Sequence, residues 1–409
     1  MQSKASAFFS FLHLSFIQGA NVLIQILLIP IISRKVGLTE FGLIMLASSY
    51  AALVSILINY GSNQSGVKDV ALERDSPASL SNIFYSIFYS RGILYILSFL
   101  VLLCINQWIL PAEKGRHLLF ANLIILAELL NPFFFFVGIQ KLSLYNGINL
   151  ISKLLAVVCI LFWVQGPSDG VWVNFFLGAA QIPGYLFLLI YLIQKYQLHH
   201  FRISMNQLVQ YFKQNSYLTG NNVSVQLQQS IFLFAVSAMG NAALLGAYSL
   251  CDKIVWSFRM LIISLFNVVF PRASILQKEN PAQWQEVKKK LGWAIGIVFT
   301  VVALALFFLA HQLVPLITGH TDPMAVLFVQ SICLVPLLAA INSLNFAELL
   351  MCNQYASIFT ISLILLGISI VLSGLFIQLG EPLWFGLFPL FAELGSIPLY
   401  RYFIRKSKP

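Results

Sequence analysis

Charge is what this sequence lacks. Only 9% of its 409 residues are Asp, Glu, Lys or Arg, against roughly a quarter in soluble globular chains. A chain so poor in charge cannot clothe a surface facing water, which excludes an ordinary soluble globular fold. Acids are the scarcer sign, 14 against 24 Lys and Arg, for a formal net charge of +10. No basic cluster interleaved with aromatics occurs, so nucleic acid is not an expected partner. The five cysteines (Cys104, Cys159, Cys251, Cys333 and Cys352) are odd in number and have no CxxC spacing. That argues against a disulfide framework or a metal site; they read as small hydrophobes in apolar runs. Walker A, HExxH and nucleophile-elbow motifs are missing too. No enzyme activity and no cofactor is expected, and energy for any transport must come from a gradient. The N-terminus has one lysine and then a long apolar run, with no small-residue cleavage site before the next charges, so it reads as a retained first span.

What is present is apolar sequence in long runs: 59% of the chain is hydrophobic. A membrane span needs about 20 mostly apolar residues. Twelve stretches qualify: 9–32, 41–62, 83–106, 118–137, 147–164, 170–194, 215–239, 243–270, 291–311, 324–347, 355–377 and 382–403. The longest connectors, 63–82, 195–214 and 271–290, are polar and fall on one side if spans alternate. With the N-terminus inside, sixteen Lys and Arg lie on the inner side and four (Arg34, Lys35, Lys114 and Arg116) on the outer. The positive-inside rule then puts both termini in the cytoplasm.

The segment Ser15 to Gln25, SFIQGANVLIQ, recurs as Ser216 to Gln226, SYLTGNNVSVQ. Ser, Gly, Asn, Val and Gln fall at the same places, and the copies open spans 1 and 7. With three extra residues in the second half, Gly42 and Leu46 align with Gly246 and Leu250. The expected fold is therefore an all-α integral membrane protein of 12 transmembrane helices. It divides into two six-helix lobes, 1–200 and 201–409, related as a parallel repeat about an axis along the membrane normal.

Ionisable groups inside spans cost at least about 2.5 kcal/mol each at helix centre and mark functional candidates. Eight stand out: Arg91, Glu128, Lys153, Asp252, Lys253, Arg259, Glu348 and Glu393. Asp252, Trp256 and Arg259 are spaced i, i+4, i+7 on one helical face. Tyr248 and Ser249 extend that face by a turn, and Lys253 lies about 100° to its side. The face reads as cavity-lining or as a structural ion pair. Arg91 sits among Phe84, Tyr85, Phe88 and Tyr89, a setting that suits either a lumen cation or a snorkelling one. Lys153 lies about 9 Å from the inner end of span 5, also within snorkelling reach. Glu128 and Glu393 are nearer mid-membrane and read as buried neutral acids or as proton-coupling groups. Glu348 is interfacial. Discounting it, the balance inside the membrane tips positive, which suits an anionic substrate such as a phosphate. The repeated amides Asn21/Gln25 and Asn222/Gln226 are i, i+4 pairs that serve either as helix–helix glue or as binders of sugar hydroxyls.

Four motifs carry a family resemblance. Pro30 to Gly42 (PIISRKVGLTEFG) resembles the segment after the first span of the Wzx-type O-antigen flippases. These belong to the multidrug/oligosaccharidyl-lipid/polysaccharide (MOP) superfamily. Tyr60 to Asp69 (YGSNQSGVKD) resembles their loop after span 2, and Pro132 to Lys141 (PFFFFVGIQK) their aromatic close to span 4. Gly246 to Lys253 (GAYSLCDK), followed by Pro271-Arg272, resembles their span 8. The chain departs from the pattern near Phe133 and Val137, and at Val67-Lys68, where a Lys replaces an Arg and its bidentate fork. The resemblance implies a V-shaped bundle around a central cavity in the bacterial inner membrane. It implies movement of an undecaprenyl-diphosphate-linked oligosaccharide from the cytoplasmic to the periplasmic leaflet by alternating access. Arg259, Lys253, Arg91 and Lys153 would meet the diphosphate. Asn21, Gln25, Asn222, Gln226, Tyr248 and Ser249 would form the polar wall, and Asp252, Glu128 and Glu393 would serve coupling or ion pairing. Proton and sodium coupling are both open. A polysaccharide polymerase and a chain-length regulator are the implied protein partners. A cation-coupled multidrug exporter of the same superfamily is the competing reading and favours an acidic or apolar cavity. A membrane-embedded polymerase or glycosyltransferase needs a large outer loop, and no outer connector here is long enough.

Overall fold

The computed structural model describes the backbone of residues 4–199, 203–352 and 354–407. Within these, the side chains of 4–19, 21, 22, 264–272, 274, 275, 278, 281 and 282 lie outside the description. Among the described residues the chain is helical, with no strand. In the first half the helices are α1 (Lys4–Asn59), α2 (Ser65–Leu72), α3 (Pro77–Trp108), α4 (Ala112–Leu130), α5 (Phe133–Gly138), α6 (Leu142–Trp163), α7 (Val171–Ala179) and α8 (Gln181–Lys195). The second half has α9 (Met205–Ala238), α10 (Ala242–Glu279), α11 (Pro281–Phe308), α12 (Ala310–Thr318), α13 (Pro323–Ser331), α14 (Val335–Met351), α15 (Tyr355–Leu379) and α16 (Pro382–Ser407).

Local chemistry sets the ends. The Ser76, Asn280 and Asp322 side chains accept the backbone N–H three residues on, each followed by a proline in the first helical turn. Those prolines lose nothing, because the first-turn N–H groups have no intrahelical partner. Gly319 and Gly380 close α12 and α15 in the left-handed conformation. Expected spans 4 and 10 each appear as two helices, broken at Asn131-Pro132 and at Ile332 to Leu334. Expected spans 1 and 2 are joined in α1, whose helical path is interrupted at Gly37 (φ 77°, ψ 166°). An L side chain would be strained there.

Nine of these helices or joined helix pairs are long and apolar enough to cross a membrane, among the described residues. Their outward faces are apolar: on α3, Ile93, Ile96, Leu97, Leu100 and Val101 are exposed. A ridge of that kind is stable against lipid and costly against water.

The chain gathers into two compact units. Unit 1 is Met1–Leu28 with Leu43–Gln226, and unit 2 is Ile29–Gly42 with Leu227–Pro409. Relative to the halves 1–200 and 201–409, segment 29–42 packs with unit 2 and segment 201–226 with unit 1. Unit 1 is centred on an aromatic core of Phe84, Phe134, Phe135, Phe136, Tyr145 and Tyr185. In unit 2, Phe232 stacks on Phe388 at 4.1 Å and meets Tyr248 edge-on at 5.0 Å. Also in unit 2, α1 and α10 touch backbone to backbone. A Cβ on Gly42 would lie 2.7 Å from the Gly246 nitrogen, and one on Gly246 would lie 2.2 Å from the Leu38 carbonyl oxygen. Only glycine allows that approach.

Candidate functional site

Arg91 is fully buried in unit 1. Its Nη1 donates to the Asn131 carbonyl at 2.7 Å and lies 3.4 Å from that of Glu128. Nη2 donates to Ser62 Oγ at 2.7 Å and reaches Asn63 Oδ1 at 3.4 Å, while Nε lies 3.3 Å from Ser62 Oγ. The guanidinium sits 5.2 Å from the centre of the Phe134 ring, a cation–π contact. The Glu128 carboxylate belongs to the same node, accepting from Asn59 Nδ2 at 2.5 Å and Asn131 Nδ2 at 2.9 Å. Asn131 Oδ1 accepts from the Tyr145 hydroxyl at 3.0 Å. Two of the resemblance motifs therefore converge on one side chain: 60–69 supplies Ser62 and Asn63, and 132–141 supplies Phe134. Satisfied on every side, Arg91 and Glu128 brace the helix break at Asn131-Pro132.

In unit 2, Arg259 Nη2 meets Glu393 Oε1 at 2.7 Å, with 25% and 12% of their side chains exposed. Asn342 Nδ2 donates to the other carboxylate oxygen at 2.7 Å. Two of the intramembrane charges singled out above thus neutralise each other across 134 residues. Asp252 and Lys253 form a second pair at 3.3 Å. The face that Asp252 shares with Arg259 changes surroundings along α10. Tyr248 and Ser249 are packed in the interior, Tyr248 between Phe232 and Phe328, whereas Trp256 is 37% exposed.

Lys153 differs. It lies half-buried on α6 with no hydrogen-bond or ion-pair partner among the described residues. The face about half a turn away, Ile151, Leu154, Leu155, Val158 and Phe162, is exposed and apolar. Asn146 and Asn149 precede Lys153 at i−7 and i−4 and so share its inward face. The Asn146 Nδ2 and Asn149 Oδ1 atoms are buried without a hydrogen-bond partner. Unpaired buried polar atoms cost about 1–3 kcal/mol each, so this stripe carries hydrogen-bonding capacity that the described residues leave unused. Asn146 and Asn149 are neither ionisable nor part of the repeat, so neither sequence criterion singles them out. Their helical spacing to Lys153 was the signal that finds them.

The repeated amides divide. Asn222 pairs reciprocally with Gln64, at 3.2 and 3.5 Å, on unit 1. Gln226 is half-buried and Gln25 is exposed. The side chain of Asn21 lies outside the described residues.

Nine helices or joined helix pairs of spanning length, among the described residues, define a multi-pass membrane protein, and solved structures specify its fold. The chain is similar to the lipid II flippase MurJ in an inward closed conformation, with a TM-score of 0.73 and 12% identity over 97% of this chain and 87% of that one. It is also similar to a multidrug resistance MATE family transporter of the MOP superfamily, with a TM-score of 0.55 and 12% identity over 97% and 95%. Residues 10–277 match the family described as polysaccharide biosynthesis protein. The chain belongs to that family. A curated relative from Escherichia coli (strain K12), named as an O-antigen transporter, is 19% identical over 388 residues, covering 94% of this chain and 91% of the relative. The fold is shared with these solved transporters, and the family points to transport rather than catalysis.

Proposed function

We propose that the chain is a flippase for a lipid-linked oligosaccharide. Its substrate is an undecaprenyl-diphosphate-linked repeat unit, moved from the cytoplasmic to the periplasmic leaflet of the bacterial inner membrane. Twelve spans in two six-helix lobes, with both termini inside, perform the movement by alternating access. The observation that carries this reading is the α6 stripe. Of the four cations picked out in the sequence, Arg91 is spent inside the Glu128 node, and Arg259 and Lys253 are each held by an acid. Lys153 has no such partner among the described residues and lies beside two amides with unpaired atoms. An ammonium there meets a diphosphate as a point charge, and the amides match sugar hydroxyls in donor and acceptor capacity. Arg259 and Lys253 join the cationic set when their pairs open, with Glu393 and Asp252 as the groups that close them again. A MATE-like exporter of cations has no use for an uncompensated lysine in its interior.

The test is complementation of a strain lacking the gene. Lys153→Gln should reduce surface polysaccharide at least about tenfold at wild-type protein abundance, and Lys153→Arg should retain most of it. Wild-type polysaccharide from Lys153→Gln, together with cationic dye efflux from the wild-type chain, would establish the exporter instead.

A further inference from the structure

Unit 2 contains a crevice of about 330 Å³ between α11 and α14, within the roughly 300–1,000 Å³ of small-ligand sites. Gln285, Lys288 and Lys289 form one wall, Ile341, Leu344 and Asn345 the other, and Gly292 leaves the floor open. A Cβ at Gly292 would meet only Leu344, at 4.0 Å. Lys288 is held by the buried Glu348 carboxylate, which fixes one ammonium in the wall. Lys289 has no described partner. Lys290 turns away to Glu286 at 2.7 Å.

The crevice sits where the chain passes from polar to apolar. The three lysines immediately precede the apolar run of α11, whose Trp293, Ile297 and Val301 are exposed. Tryptophan at such a boundary marks the headgroup level of a bilayer. By the charge distribution, this end of α11 is the cytoplasmic one. We infer that the crevice is a binding site for the phosphate headgroup of a resident anionic phospholipid, with Lys288 and Lys289 on the phosphate and Gln285 and Asn345 on the polar headgroup. The acyl chains lie along the exposed face of α11. Basic pockets between spans on the cytoplasmic side have the charge and depth for such lipids. This site is separate from the α6 stripe in unit 1 and stands whatever the transported substrate.

Native mass spectrometry of the detergent-purified full chain, titrated with phosphatidylglycerol or phosphatidylcholine, tests it. Phosphatidylglycerol retention should fall about tenfold in Lys288→Gln/Lys289→Gln and stay unchanged in Lys290→Gln. Gly292→Leu fills the crevice without altering charge and should lower retention to a similar extent, which keeps the test sound if loss of Lys288 strands Glu348. Phosphatidylcholine should bind weakly and equally to all four chains. Equal phosphatidylglycerol retention in all four overturns the site. So does displacement of the lipid by millimolar inorganic phosphate, which would make the crevice a site for free phosphate.

Discussion

The two cations Arg91 and Lys153 look alike as letters in an apolar run and differ wholly in their surroundings. Arg91 donates to two carbonyls and two side chains inside an aromatic core. Removing one member of such a buried network strands the rest, at a cost of about 3–5 kcal/mol. Arg91→Gln should therefore lower the folded yield and the thermal midpoint of the purified protein, and Arg91→Lys should recover only part, because an ammonium cannot span Ser62 and Asn131 together. A wild-type midpoint for Arg91→Gln would show that the node is not structural. Lys153→Gln, by contrast, should leave the midpoint near wild type and alter transport alone. The sequence exposed both residues as ionisable groups inside spans. It could not say which was spent, because the groups that spend Arg91 come from 28 to 40 residues away and the partner of Arg259 from 134. Pairings across such separations leave no periodic trace.

Helices were the most legible level, because a bilayer demands long apolar runs and prolines and asparagines mark their ends. The breaks at Asn131-Pro132 and Ile332 to Leu334 do not show in the sequence, since both lie inside runs that stay mostly apolar on either side of the break. The alignment of Gly42 with Gly246 was read, but not its consequence. Those two glycines press against each other in unit 2. Overpacking such a contact costs about 1–3 kcal/mol. Gly246→Ala should thus destabilise the purified protein in thermal unfolding. Gly296→Ala, where an added Cβ meets nothing within 4 Å, should be neutral or stabilising by up to about 1 kcal/mol. Equal midpoints for the two variants would mean that α1 and α10 can separate freely at this point.

At the scale of the whole molecule, the alternation of spans can be checked against contacts between connectors. In unit 1 the inner connectors meet one another. Tyr60 packs edge-on against Phe212 at 4.9 Å, and the His199 N–H donates to Ser81 Oγ at 3.1 Å. Lys141 lies over the ring of Tyr196, at 5.5 Å. In unit 2, Gln277 reaches Cys352 at 3.4 Å, both assigned to the inner side. Two connectors assigned to the outer side also meet there, through Ser33 with the Ile317 carbonyl at 3.1 Å and Arg34 with that of Leu316. Each of these contacts joins segments that alternation puts on one face. Contacts constrain only the parity of the spans, and the lysine and arginine excess supplies the sign. Reporter fusions after residues 205 and 280 read that sign directly. Residue 205 opens α9, and residue 280 is the exposed cap between α10 and α11, so a fusion at either leaves the preceding helices whole. A cytoplasmic reporter should be active and a periplasmic one silent at both. A periplasmic signal at both inverts the chain and moves the Lys288 crevice to the other leaflet. A split result breaks the even count between the two positions, and with it the parallel relation of the halves.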